Sequence, residues 1–199
     1  LKNSPIKIAI FASGSGTNAE RFFEYFKDSS LAEVALLACN NKEAYVLERA
    51  KRHQVPVQLF SNQEIKAGEP VVQKLKEARI DFIVLAGFLR LIPAELVAEY
   101  PQRIVNIHPA LLPKWGGKGM YGMRVHEAVR AAGEKEAGIS IHYVNEAYDE
   151  GDIIFQASCP VEPEDGPAEI AQKVHRLEYA HYPRVVEKLL RQLADKDEI

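Results

Sequence analysis

The stretch IKIAIFASGSGTN, residues 6–18, decides how the rest of the chain is read. Its first seven residues, Ile6 to Ala12, form a short run with apolar side chains on both faces, as a strand covered on both sides requires. SGSGTN follows, and then Ala19, Phe22, Phe23 and Phe26 recur at i, i+3, i+4 and i+7, the stripe of an amphipathic helix. A glycine loop between a buried strand and a helix places unpaired backbone N–H groups and the positive end of the helix dipole together, which suits a phosphate. No Lys follows Gly16, so the loop is not a Walker A loop, and the third glycine of GxGxxG is absent. A monophosphate fits better than a dinucleotide; the plainer reading is a turn with Thr17 or Asn18 capping the helix.

Working outward, the alternation continues. EVALLACN, VPVQLF, DFIVLAG and RIVNIH read as strands, separated by the helical runs EAYVLERAKRH, EPVVQKLKEAR and PAELVAEY. Such a β-α-β-α series predicts an α/β fold, a doubly wound, mostly parallel sheet with helices on both faces. After Val125 the pattern changes: the helix VHEAVRAAG leads to GISIHYV and DIIFQASCPVE, two strands joined by an acidic loop, predicting a C-terminal antiparallel hairpin. A helix from about Pro167 closes the chain, and Pro183 is expected to kink or interrupt it.

At 199 residues, with 47% apolar and 27% charged side chains, the chain is of a size and composition to bury one continuous core, so a single domain over 1–199 is expected. A net charge of −3 argues against nucleic acid as the main partner. No apolar run is long enough to cross a membrane and no secretory leader is evident, so a cytoplasmic location is expected. Cys39 and Cys159 lie in apolar strands and read as buried free thiols. The six histidines lack ligand spacing, and no metal is expected.

In open α/β sheets, ligands bind outside the carboxyl ends of the strands. Ser13–Asn18, Gly87–Ile92 and Asn106–Pro113 all follow such ends. In RIVNIHPALLP (103–113), alternation turns Asn106 and His108 to one face, with Ile107 opposite. An amide donor beside a titratable imidazole can hold a developing oxyanion and pass protons. The imidazole needs a partner, and NEAYDEGD offers Glu146, Asp149, Glu150 and Asp152, among which the residues alone do not choose. Such a carboxylate is expected to keep His108 protonated to higher pH. His142 reads as a structural hydrogen-bonding residue.

Taken together, SGSGTN, LAGFLRLI (85–92), NIHPALLP and the spacing H-x-V-x4-D-x-G-x-I from His142 to Ile153 resemble the folate-dependent glycinamide ribonucleotide (GAR) formyltransferases of purine biosynthesis, over essentially the whole chain. The resemblance implies a Rossmann-like formyltransferase fold that moves a formyl group from 10-formyltetrahydrofolate to the amine of GAR, as a monomer or homodimer with no metal, nucleic acid or membrane involved. It selects Asp149 as the carboxylate acting with Asn106 and His108. It implies that Gly16, Thr17 and Asn18 hold the phosphate, with Glu178 on the ribose and His175 nearby. It implies a folate pocket of Leu89, Arg90, Leu91, Ile92, Val97 and Asn106, with Val144, Asn145, Glu146, Ala147, Tyr148 and Asp149. The N-terminal half would then bind phosphate and GAR, and the C-terminal half folate.

Two departures stand out. No Arg occurs between Arg52 and Arg79, where relatives carry one for the folate tail, leaving Lys66 as a substitute. KWGGKGMYGMRVHEA is longer and richer in glycine than the common loop and reads as a mobile lid or a variant without consequence. Sister enzymes that formylate methionyl-tRNA or hydrolyse 10-formyltetrahydrofolate carry an additional domain for which this chain has no room. A non-catalytic binding module could have discarded Asn106, His108 or Asp149, and all three are present.

Overall fold

The computed structural model describes residues 4–197. Seven strands form one sheet in the order β3-β2-β1-β4-β5-β6-β7. They are β1 (Ile6–Ala12), β2 (Ala32–Cys39), β3 (Val57–Leu59), β4 (Phe82–Leu85), β5 (Ile104–His108), β6 (Glu136–Tyr143) and β7 (Ile153–Pro160). The first five pair in parallel, and β6 and β7 add antiparallel to β5, as the sequence predicts.

Period-two alternation divides β1 between two cores. Ile8, Ile10 and Ala12 face α1 (Thr17–Tyr25), α2 (Val46–Arg52) and α7 (Pro167–Asp197) through Phe22, Val46, Ala50, Val174 and Tyr182. Ala9 and Phe11 face the opposite layer of α3 (Asn62–Ala67), α4 (Glu69–Glu77) and α5 (Ala94–Glu99) through Ile65, Val72, Leu75 and Leu96. Burying both faces of β1 is what makes IKIAIFA nearly continuous in apolar residues. Tyr182 is wholly buried, and its hydroxyl donates to Leu85 O at 2.9 Å, with Val105 O at 3.2 Å, tying α7 to the two central strands.

Three expectations change. α7 runs through Pro183 without interruption, because Tyr182, Val186 and Leu190, all buried, seat both halves on the sheet; this packing outweighs a local cost of about 3 kcal/mol. Cys159 is half-buried rather than buried, since β7 is an edge strand with alternating exposure, whereas Cys39 is buried. The segment after β3 contains an unexpected helix, α3, started by a capping box in which the Ser61 hydroxyl accepts from Glu64 N–H and the Glu64 carboxylate accepts from Ser61 N–H. The S-x-x-E signal was in the sequence. Among the described residues, no helix is long and apolar enough to cross a membrane.

Candidate active site

Strand order reverses at β1, so the connections leaving β1 and β4 diverge and open a crevice between them. Ser13 stitches its rim: its N–H donates to Gly87 O, its hydroxyl donates to Asn40 Oδ1 at 2.6 Å, and Leu89 N–H donates to that hydroxyl. Gly16 occupies the N-cap of α1 in the left-handed region, φ 74°, and no side chain caps the helix. Thr17 and Asn18 are therefore the first helical residues, not the cap, and their N–H groups remain open to a ligand. A Cβ on Gly16 would lie 2.2 Å from Val46 Cγ2, so glycine is required for both conformation and space. Arg49 steadies the loop by donating from Nε to Ser15 O at 2.8 Å while pairing with Glu20.

The second part of the site lies at the end of β5. Antiparallel register places Asn106 directly opposite His142. His142 Nδ1 lies 2.8 Å from Tyr143 O and must donate to it, so in the neutral ring Nε2 accepts from Asn106 Nδ2 at 3.1 Å. The same Nδ2 reaches Asp149 Oδ1 at 3.4 Å, and His142 Nε2 is 3.6 Å from that oxygen. His142 is thus part of the constellation, not only a structural residue. Cross-strand pairing with Asn106 was the signal that would have found it, and it required the register.

Asp149 comes from the β6–β7 loop with a backbone φ of 57°, uncommon for a residue other than glycine. Gly117 N–H donates to its Oδ2 at 2.9 Å, and His108 Nδ1 is 3.4 Å from that oxygen. His108 Nε2 sits 2.7 Å from Trp115 O and donates to it. A neutral His108 would therefore turn an Nδ1 lone pair toward the carboxylate; a proton at Nδ1 makes the contact attractive. Burial drives the His108 pKa below its usual value, outweighing the opposing pull of Asp149. The expectation that a carboxylate would lift it is corrected, because the ring is only 3% exposed. For Asp149, burial opposes ionisation, but His142, His108 and the Gly117 N–H together hold the carboxyl below its usual range.

The two parts border one cavity of about 710 Å³. Gly16, Thr17, Asn18, His175 and Glu178 line it, as do Leu89, Arg90, Leu91, Ile92, Val144, Asn145, Ala147 and Tyr148, and Asn106, His108, Asp149 and His142 lie on the same wall. Glu178, 6% exposed, accepts from Asn18 Nδ2 at 3.0 Å, and burial raises its pKa to about 7. Two expected pocket residues are not on the cavity wall. Val97 is turned into the second core as a partly buried residue of α5, and Glu146 is exposed at the loop surface. Lys66, exposed in the last turn of α3, is also absent from the lining. The glycine-rich segment contributes Gly117 to Gly122 to the lining, with Met123, Arg124 and His126 of α6 (Met123–Ala131).

The formyl transferase family matches residues 6–186. The chain is 41% identical over 186 residues to a chloroplastic phosphoribosylglycinamide formyltransferase of Arabidopsis thaliana, covering 90% of this chain and 64% of that protein. It thus spans slightly under two thirds of that relative's length. With the phosphoribosylglycinamide formyltransferase of Bacillus subtilis (strain 168) it shares 39% identity over 92% of this chain and 94% of the relative. Among solved structures, the phosphoribosylglycinamide formyltransferase from Bacillus halodurans superposes with a TM-score of 0.84 at 42% identity, covering 92% of this chain and 95% of that one. A glycinamide ribonucleotide transformylase from Geobacillus kaustophilus gives 0.85 at 37% identity, over 94% and 99% of the two chains. With most of its length matched by the family and by close structural relatives, this chain belongs to the formyl transferases.

Proposed function

We propose that the protein transfers the formyl group of 10-formyltetrahydrofolate to the amine of GAR, giving formyl-GAR and tetrahydrofolate in purine biosynthesis. The observation that carries this reading is one cavity joining an uncapped helix N-terminus to the Asn106–His108–Asp149 cluster. The first feature suits the phosphate of a small acceptor, and the second suits acyl transfer. The relatives named for this activity support it. The N-terminal half supplies the phosphate end, Gly16 to Asn18, and the C-terminal half supplies Val144, Asn145 and Ala147 to Asp149 for the folate. His175 and Glu178 of α7 close the acceptor side.

In this scheme the amine nitrogen attacks the formyl carbon. Asn106 meets the resulting oxyanion by giving up its long 3.4 Å contact with Asp149. The transferable proton on His108 is the one at Nδ1, because Nε2–H is committed to Trp115 O. A depressed pKa makes the imidazolium a ready donor, and that proton goes to the departing folate nitrogen as its bond to the formyl carbon breaks. Asp149 receives the proton lost by the amine, directly or through water, and returns it to His108, so the sum is one proton moved from amine to folate. His142 and Gly117 hold Asn106 and Asp149 in place meanwhile.

The test is a formyl-transfer assay with GAR, water and charged initiator tRNA as competing acceptors. Transfer to GAR is expected, and preference for either other acceptor would overturn the reading. His108→Ala and Asp149→Asn should each lower turnover by roughly 10²-fold or more while circular dichroism stays native; wild-type turnover in either would remove the proposed chemistry.

A further inference from the structure

Two buried side-chain polar atoms lack a hydrogen-bond partner among the described residues: Asn18 Oδ1 and His126 Nδ1. Both residues line the same cavity. Leaving such an atom unpaired costs about 1–3 kcal/mol, and elsewhere in folded proteins buried polar atoms are almost all satisfied. Asn18 belongs to the phosphate end already described. His126 does not, and nothing in the proposed chemistry uses it.

His126 sits in the first turns of α6, 2% exposed, between the glycine-rich segment and α7. Its ring meets that of His175 edge to face at 6.3 Å between centroids. For packing alone a phenylalanine would fill this position without an orphaned nitrogen, so the imidazole points to a polar ligand. Burial, with His175 and His108 adding to it, lowers the His126 pKa to about 4, which keeps the ring uncharged at neutral pH. An uncharged ring is a poor match for a phosphate and a good one for a hydroxyl or an amide, because either tautomer offers one donor and one acceptor.

We propose that His126 is a further acceptor-binding residue, its imidazole hydrogen-bonding to an uncharged hydroxyl or amide group of the phosphoribosyl acceptor. The assignment rests on the proposed function. It divides the acceptor end by chemistry: backbone N–H groups of α1 take the anion, and His126, with Asn18 and Glu178, takes the uncharged polar groups beside it.

The test compares His126→Phe and His126→Asn with the wild type, measuring KM for GAR and for 10-formyltetrahydrofolate separately. Loss of one hydrogen bond predicts a rise of about tenfold in the GAR KM for His126→Phe, with the folate KM nearly unchanged. His126→Asn, which restores a donor and an acceptor, should recover much of the loss. A GAR KM that does not move, or that rises in parallel with the folate KM, overturns the assignment while wild-type transfer to GAR leaves the functional reading standing. Absence of wild-type transfer to GAR overturns both. If His126→Phe fails to fold, the nitrogen-15 resonances of His126 in the wild type decide. They should move on saturation with GAR, and unchanged resonances refute the contact.

Discussion

Glu178→Gln isolates the electrostatic cost of the acceptor end. The carboxyl accepts from Asn18 Nδ2 and meets no cation among the described residues, and burial lifts its pKa from 4.5 to about 7. Because the folded pKa is raised, folding is unaffected by this group below about pH 4.5, where both states are protonated. Stability then falls by about 1.4 kcal/mol per pH unit as the unfolded chain ionises and the folded one does not. The loss is complete above about pH 7 and totals about 3 kcal/mol. Glutamine keeps an acceptor for Asn18 but cannot ionise, so the variant escapes the loss. His126 acts with the opposite sign: its folded pKa, about 4, is lowered from 6.5, so its neutral burial costs stability as pH falls through that window. The two slopes nearly cancel between roughly pH 4.5 and 6.5, so a wild-type profile alone would hide both. The informative quantity is the difference in Tm between Glu178→Gln and wild type, followed by circular dichroism from pH 4.5 to 8.5. It should be near zero at the acid end and reach roughly 6–12 °C in favour of the variant at the alkaline end, for a chain of this size. A difference that does not change with pH would mean that Glu178 is ionised in the folded protein, and the reasoning would fail.

Two further outcomes follow from the geometry of the catalytic wall. Asn106→Ala should lower turnover by about 10²-fold with little change in either KM, as for removal of one oxyanion donor; steady-state kinetics showing only weaker binding would make Asn106 a binding residue. At Gly151, a Cβ would fall 1.8 Å from Tyr143 O, a backbone atom that cannot move aside cheaply. Gly151→Ala should therefore cost about 3 kcal/mol or more in urea unfolding and shift the loop that carries Asp149, depressing transfer as well. A loss under about 1 kcal/mol would refute the close approach of the loop to β6.

Features that depend on local period were legible in the chain, and those that depend on register or depth were not. IKIAIFA followed by SGSGTN and an i, i+3, i+4 stripe was sufficient for β1, the loop and α1, because each signal lies within a few residues. Alternation likewise put Asn106 and His108 on one face of β5. His142 escaped because its meeting with Asn106 depends on the antiparallel offset of β5 and β6, which a sequence separation of 36 residues does not encode locally. Val97 and Glu146 were assigned to the pocket by the resemblance, yet a helix turn aims Val97 at the core and a loop bend leaves Glu146 in solvent. The proton affinity of His108 shows the limit most clearly. Pairing it with Asp149 was legible from the resemblance, but the sign of its pKa shift is a contest between that charge and the removal of water. Only the depth of the ring at the end of a strand covered by Trp115 decides which wins. The outcome favours a proton that is given up readily, as a donor to a departing nitrogen needs.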